Sequence, residues 1–417
     1  MIIDNPFSSK IFISYWSKHF LSNKKTYLFQ FVKNLTFYKS KLPGLYINTG
    51  KNLTKGISYE LSPLNEENKK GKTLLIYDVI NYNGERKSLK NKGIGLHTVG
   101  QYPGFLIDLE AYSNLNEFMT NTFKKSSRYK LKKYKNKLET CFDINYKLFN
   151  GEILQKEYDF IFENFRKLLV KRFEDKEITN NNLNRSEWDF YREVAYSMII
   201  EKKAGLFVIY NGAQPIGVTL VYFSEKIVFD AITVFDIDYA KFHLGSITIM
   251  KLIEWSISNN FKIFDFSKGY FDYKKRWATK KYDFEYHIIY DRESIKAQIL
   301  AFGIKSFFEF KQLLREKNIN QQFHKLTFLL RKKNTSVKPR LSYNFTETEK
   351  EYSDEELIKI NLDTKKNHFL KNPVFNFLYL NNEKSNSLQA FKIIGKNDYY
   401  LFKGENKIIE LNIKLPR

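Results

Sequence analysis

Apolar and polar positions divide the chain into segments with different periods. Short apolar runs at Gly44–Ile47, Ile57–Leu61, Thr73–Tyr77 and Phe105–Leu109 read as strands between Lys/Asn/Gly loops. A helix is expected from near Asn114, with Glu117 in capping-box position, toward Leu138. Along it Phe123, Ser127, Leu131, Tyr134 and Leu138 fall on one stripe. From 141 to 300 the periods are more regular. Cys141–Phe149 alternates as a strand, and Tyr158, Ile161, Phe162, Phe165, Leu168 and Leu169 give a helical period. A second helix follows, with Asn184 and Glu187 as a capping box and Trp188, Tyr191, Val194, Ala195 and Met198 on one face.

Leu206–Tyr210 and Ile216–Phe223 are strands around Asn211-Gly212, a tight-hairpin signal. Lys226–Phe235 is a third strand, Gly245–Asn259 a helix and Lys262–Phe266 a strand, so the order is β-α-α-β-β-β-α-β. Residues 301–334 read as a basic helical extension. Residues 335–352, with Pro339, read as a linker, and 353–417 as a small α/β appendix opening with a Ser353–Glu356 capping box.

A length of 417 residues supports two or three domains. Phe (38) and Tyr (28) predict aromatic-rich cores. The net charge of +23 points to an anionic partner: a nucleotide-containing cofactor, a phosphorylated glycan, a membrane surface or a nucleic acid. The single cysteine, Cys141, forbids an intrachain disulfide and any Cys-based zinc site. The six histidines have no ligand spacing, so no metal is expected. The Met1-Ile-Ile-Asp-Asn-Pro start has no basic region before an apolar run, so no signal peptide is expected; no stretch of about 18 apolar residues occurs, and the expectation is a cytoplasmic protein that can visit the inner membrane face.

Two stretches carry candidate chemistry. Tyr239–Ser246 ends in Leu244-Gly245-Ser246 before a helix, where free N–H groups and the positive dipole end suit a phosphate, with Lys241 nearby. A plain turn is the rival reading. His243 reads as a packing or surface residue and Cys141 as a buried filler. The second stretch is Phe264–Trp277. Asp265 ends a short strand, Gly269 marks a turn, and Tyr273-Lys274-Lys275-Arg276-Trp277 crowds a phenol, three cations and an indole together. Its rival reading is a basic surface loop anchored by Trp277. Eight cations in fourteen residues, Lys124 to Lys137, cover the polar side of the predicted basic helix. They form either a solvated face or a docking face for an anionic, lipid-phosphate-linked or nucleotide-linked acceptor.

Phe264-Asp-Phe-Ser-Lys-Gly followed by Tyr273-Lys-Lys-Arg-Trp resembles the signature of CelD/BcsL-type acetyltransferases, a GNAT branch related to the FemAB peptidyltransferases. Tyr239…Leu244-Gly245-Ser246 resembles the stretch before that family's central helix, and the element order over 141–266 is the GNAT order. Two features depart from the pattern: Ser267 stands where the family usually has Gly, and the fuller Gly-rich pyrophosphate loop is absent.

The resemblance implies an α/β (α+β) fold of tandem GNAT-like domains with mixed central sheets: a degenerate one over 1–140, ending in the basic helix, and a catalytic one over 141–300. It implies transfer of an acyl group, acetyl from acetyl-CoA, to an amine or hydroxyl of a sugar in a cell-surface polysaccharide or its precursor. The donor would lie against Leu244, Gly245, Ser246 and Lys241. Asp230 and Asp265 are the implied base candidates and Tyr273 the acid, with Lys274, Arg276, Trp277 and Gly269 toward the acceptor. One alternative is FemAB-like transfer from aminoacyl-tRNA. Another is a non-catalytic GNAT-fold protein that binds an anionic glycan or scaffolds a complex.

Overall fold

The computed structural model describes residues 2–22, 24–62, 69–82, 84, 93–176, 180–316, 342–348, 350–362 and 364–414. Among them thirteen strands form one mixed sheet and five form a second, so the chain is α/β with a separate small sheet at its C-terminal end.

The first segment supplies helix α1 (Lys10–Phe20) and strands β1 (Thr26–Phe29), β2 (Val32–Lys39), β3 (Leu45–Asn48), β4 (Glu60–Leu61), β5 (Thr73–Asn81), β6 (Ile94–Gly100) and β7 (Gly104–Asp108). Helices α2 (Leu115–Thr122) and α3 (Lys125–Cys141) follow. Next come β8 (Ile144–Phe149), α4 (Gln155–Asp175), α5 (Arg185–Ile200), β9 (Ala204–Asn211), β10 (Gln214–Phe223), β11 (Ile227–Phe235), α6 (Leu244–Ser258) and β12 (Ile263–Lys268). The order expected from the periodicity is therefore present. A short α7 (Asp272–Trp277), β13 (Lys280–Asp291) and α8 (Ile295–Glu316) follow.

The large sheet runs β1-β2-β3-β5-β13-β7-β12-β11-β10-β9-β8, with β4 on β2 and β6 on β13. β13 joins its two halves: Lys280–Tyr282 pair with β7, and Asp283–Tyr290 pair with β5. β7, from the first segment, also pairs with β12. The sheet thus runs continuously across the boundary expected at residue 140.

Both faces of β9–β12 are covered, which is why their sequences are near-continuous apolar runs. α1, α4 and α5 pack on one face, where Phe7, Phe12, Phe190, Tyr222 and Phe229 meet edge-on. α2, α3 and α6 cover the other. Among the described residues no helix is long and apolar enough to cross a membrane.

Several local expectations are corrected. The single helix over 114–138 is two. Asn114 does cap α2, accepting from the Glu117 N–H at 2.9 Å. Phe123, however, is extended (φ −123°, ψ 141°) and turns inward against Trp277, with ring centroids 4.8 Å apart. Arg128 then satisfies the carbonyls of Thr120 and Phe123 left free at the end of α2. Cys141 ends α3 instead of opening a strand; burial pushes its thiol up to about 11, consistent with a filler. Asn184 makes no side-chain cap. Ser353 and Glu356 do form a capping box, but it heads one 3-10 turn.

The expected linker contains strand β14 (Ser342–Glu347), because Tyr343 and Phe345 alternate inward beside Tyr400-Leu-Phe-bearing strands. β14 pairs with β18 (Ile408–Lys414), and the small sheet continues through β17 (Tyr399–Lys403), β16 (Gln389–Ile393) and β15 (Leu357–Lys359). Helix α9 (Lys371–Asn381) ties it to the main body: Val374, Phe377 and Leu378 join the core under α3 and α6. The 317–334 part of the basic extension lies outside the described residues.

Candidate active site

The site is built where β11 and β12 part. These parallel strands pair only at Ile227–Ile263, Val228–Phe264 and Phe229–Asp265. β11 then continues to Phe235 along β10, with Ala231 an extra, bulged residue between Asp230 and Ile232. β12 stays with β7 and itself shifts register after Asp265. A wedge therefore opens in the middle of a sheet, with Asp230 the first residue past the last shared pair.

Asp230 accepts a hydrogen bond from the Thr233 hydroxyl at 2.8 Å. Burial raises its carboxyl above the ordinary value, opposed by Thr233, Lys274 and Lys55. Lys274, on α7, is itself buried and donates to the carbonyls of Ser267 (3.2 Å) and Lys268 (3.0 Å). Burial brings its ammonium down to about 8, with Asp230 and Asp265 opposing and Lys55 adding to the fall. Lys55, in the loop before β4, also falls to about 8 through burial and the neighbouring Lys268 charge. Tyr273 sits between Asp230 and Arg172; burial, then Asp230, raises its phenol, so it stays protonated as a hydrogen-bond donor.

Asp265 is placed differently. It is fully buried and accepts from Tyr82 (2.7 Å), from Tyr282 (2.8 and 2.7 Å to its two oxygens) and from the Ser267 N–H (2.7 Å). Burial still carries its carboxyl up to about 6 against those donors. With its oxygens so engaged it acts as a clamp on the end of β12. Ser267 itself adopts φ 60°, a left-handed conformation that favours glycine. That explains why a glycine is the usual residue of the resembled pattern here. Beyond it Lys268 ion-pairs with buried Asp78 and lies 3.1 Å from Gln101 Oε1.

The second predicted stretch meets the first at the start of α6. Arg276 Nη2 donates to Ser246 Oγ at 3.4 Å. His243, left-handed at φ 53°, occupies the N-cap without a side-chain cap bond and stacks on Tyr134 of α3 at 3.8 Å. Burial, then Arg276, lowers its imidazole.

Other expected ligand contacts fall elsewhere. The Leu244 side chain is buried core, leaving only its backbone toward a donor. A Cβ on Gly245 would lie 2.8 Å from Phe235 Cε1, so the space over this glycine is taken by a ring. Lys241 hydrogen-bonds Asn376 of α9. Trp277 is fully buried against Phe118 and Phe123 and is a core anchor, not an acceptor contact. Gly269 (φ 120°) forms the turn and donates to Pro103.

Sequence reasoning missed Lys55, Arg172, Tyr82 and Tyr282. Each comes from an element remote in sequence, and none carries a local signal. Among the described residues no group of His, Cys, Asp and Glu could hold a metal ion.

A family model for the acetyltransferase (GNAT) domain matches residues 125–275. No curated protein sequence matches the chain. Among solved structures, FemX is similar at TM-score 0.46 and 10% identity, over 71% of this chain and 94% of that one. The C-terminal domain of a putative lysylphosphatidylglycerol synthetase from Agrobacterium fabrum gives TM-score 0.39 and 10% identity, over 70% and 95%. A tandem GNAT protein from the clavulanic acid biosynthesis pathway gives 0.33 and 7%, over 61% and 77%. The matched stretch contains β8 to β12 and most of α7, so residues 125–275 carry a GNAT acetyltransferase-like domain with its strands parted at Asp230.

Proposed function

We propose that the protein transfers an acyl group to an amine or hydroxyl in the wedge between β11 and β12. The observation that carries this reading is a single cluster at the parting point: Asp230 faces Lys274, Lys55 and Tyr273. Asp230, with its raised carboxyl, takes the proton of the attacking group as the new C–N or C–O bond forms. The carbonyl oxygen becomes an oxyanion, and the Lys274 ammonium stabilises it. Collapse breaks the acyl–donor bond, and the leaving group takes a proton from Lys274, whose value of about 8 suits donation near neutral pH. Proton return from Asp230 to Lys274 resets the pair. Tyr273 donates a hydrogen bond, and Asp265 positions β12 without touching the reacting atoms.

For the donor we propose acetyl-CoA, its phosphates at the start of α6. The residues present there fit an anion: backbone amides without a side-chain cap, with Arg276 and His243 beside them. The acceptor proposed is a sugar hydroxyl or amine of a cell-surface polysaccharide precursor. This follows the CelD/BcsL-like pattern around Asp265 and Tyr273. Calorimetric titration with acetyl-CoA at two salt concentrations tests the donor. Saturable binding, weakened in Arg276→Ala, is expected; no binding at either salt refutes it.

One observation favours a second donor. The Phe235 ring over Gly245 narrows the phosphate approach, while Lys124, Lys125, Lys130, Lys132 and Lys133 on α3 have no acidic partner among the described residues. Aminoacyl-tRNA would use that face. Filter binding of charged tRNA, with affinity falling steeply as salt rises, separates the two readings.

A further inference from the structure

Helix α8 is apolar on two opposite sides. Its inner side, Ala297, Ala301 and Phe308, packs on β13, β5 and β6, with Phe308 stacked on Tyr286 at 3.9 Å. Its outer side presents Ile295, Ile299, Phe302, Phe307, Phe310 and Leu313. These remain 47–72% exposed, and they make up six of the large apolar side chains that the described residues leave in solvent. At 100° per residue the six lie on one arc, from Phe302 round to Phe307, centred opposite the buried side. A soluble helix turns polar residues outward at these positions; here Gly303, Ser306 and, near the edge, Lys296 interrupt the apolar face.

The flanks of that arc are cationic. Lys296 and Lys311 are exposed on its border, Lys305 lies on the other side beside Glu309, and Arg315 closes the C-terminal end. Burial, then Arg315, Lys51 and Lys268, lowers the Lys311 ammonium, so positive charge gathers where α8 approaches the site.

The inner side of α8 leads toward the mouth of the wedge, Arg315 standing on the same side of the helix as Ala297. The Arg315 guanidinium lies 4.5 Å from the Tyr102 ring, and Tyr102 meets Tyr270 edge-on at 6.0 Å. Lys275 lies 5.5 Å from Tyr270, and exposed Phe271 lies 6.0 Å from Tyr273.

We infer that the outer face of α8 docks on an anionic lipid bilayer. Phenylalanine and isoleucine over a band of lysines is the pattern of a helix lying in a membrane interface. A second copy pairing by this same face would meet these cations with one acidic group, Glu309 on the flank, itself paired with Lys305. The inference is independent of the acyl-transfer reading, because vesicle binding is read without activity.

The test is co-sedimentation of the full chain with vesicles of phosphatidylcholine alone and of phosphatidylcholine with phosphatidylglycerol. Wild type, Phe302→Asp/Phe310→Asp and a Lys130→Glu/Lys133→Glu control on α3 are compared, with sedimentation velocity and thermal melts alongside. Expected is binding to the anionic vesicles, weakened by salt and reduced at least about tenfold in the α8 variant. The α3 control keeps binding, and all melts agree. Vesicle binding unchanged in the α8 variant overturns the inference. So does a concentration-dependent dimer dissolved by that variant without vesicle binding, which would make a second copy the occupant. A monomer that binds no vesicle overturns it as well.

Discussion

Replacing Tyr82 by Phe removes one hydroxyl from the Asp265 clamp and leaves the ring that packs on Tyr282 at 4.7 Å. The wild-type carboxyl, ordinarily near 3.8, sits at about 6 in the fold. A folded value above the unfolded one means the native state holds the proton more tightly. The cost of ionising Asp265 is therefore absent below about pH 4, grows as pH rises, and is complete above about 6. At roughly 1.4 kcal/mol per unit it amounts to about 3 kcal/mol. Above that window the Tyr82 hydroxyl bonds a carboxylate, and its loss costs about 1.5–3 kcal/mol. Near pH 5 it bonds a neutral acid, and the loss is about 0.5–1.5 kcal/mol. The variant should thus lose about 1–1.5 kcal/mol more at about pH 7.5 than at about pH 5, which amounts to a further unit of upward shift. Denaturant unfolding of both proteins at the two pH values measures this. Equal losses at both, or none at either, refute the view of Asp265 as a buried, ionised clamp.

Asp230→Asn should lower transfer by about 100-fold or more; unchanged turnover removes Asp230 as the base. The rate of transfer should fall as pH rises through about 8, where Lys274 loses its proton, and Lys274→Met should abolish that limb. Ser267→Gly relieves a left-handed serine worth about 1–2 kcal/mol but adds about 0.4–1 kcal/mol of unfolded-chain freedom. The expected net is therefore zero to about 1.6 kcal/mol of stabilisation, and a clear loss would show that the Ser267–Lys55 hydrogen bond matters more.

The parts of the fold legible in sequence are those whose signal is local. β8 to β12 and their helices follow from apolar runs long enough to be buried on both faces and from the Asn211-Gly212 turn, where Gly212 takes φ 57°. Asp230, Lys274 and Tyr273 could be named as candidates because the strand ends and the basic run adjoin them. What brings Lys55 to Asp230, or Tyr82 to Asp265, is pairing between strands far apart in the chain, to which no short window is sensitive. The break between α2 and α3 was equally hidden. Phe123 fits a helical stripe, and only the position of Trp277 draws it out of one. Trp277 misled for the same reason: an indole among cations reads as a ligand contact until the core behind it is known.

β13 also bears on the order in which the protein is made. The first half of the large sheet needs Asp283–Tyr290 to join β5 to its neighbours, yet these residues leave the ribosome only after the whole of β8 to β12. At roughly 5–20 residues per second, the wait between completing β5 at Asn81 and completing β13 at Asp291 lasts on the order of 10–40 s. During synthesis the second half can assemble while the edges of β5 and β6 stand open, held by chaperone or by transient pairing. The N-terminal third thus closes only after the middle of the chain, and a chain stopped short of Asp291 leaves the start of the protein unfinished as well as its end.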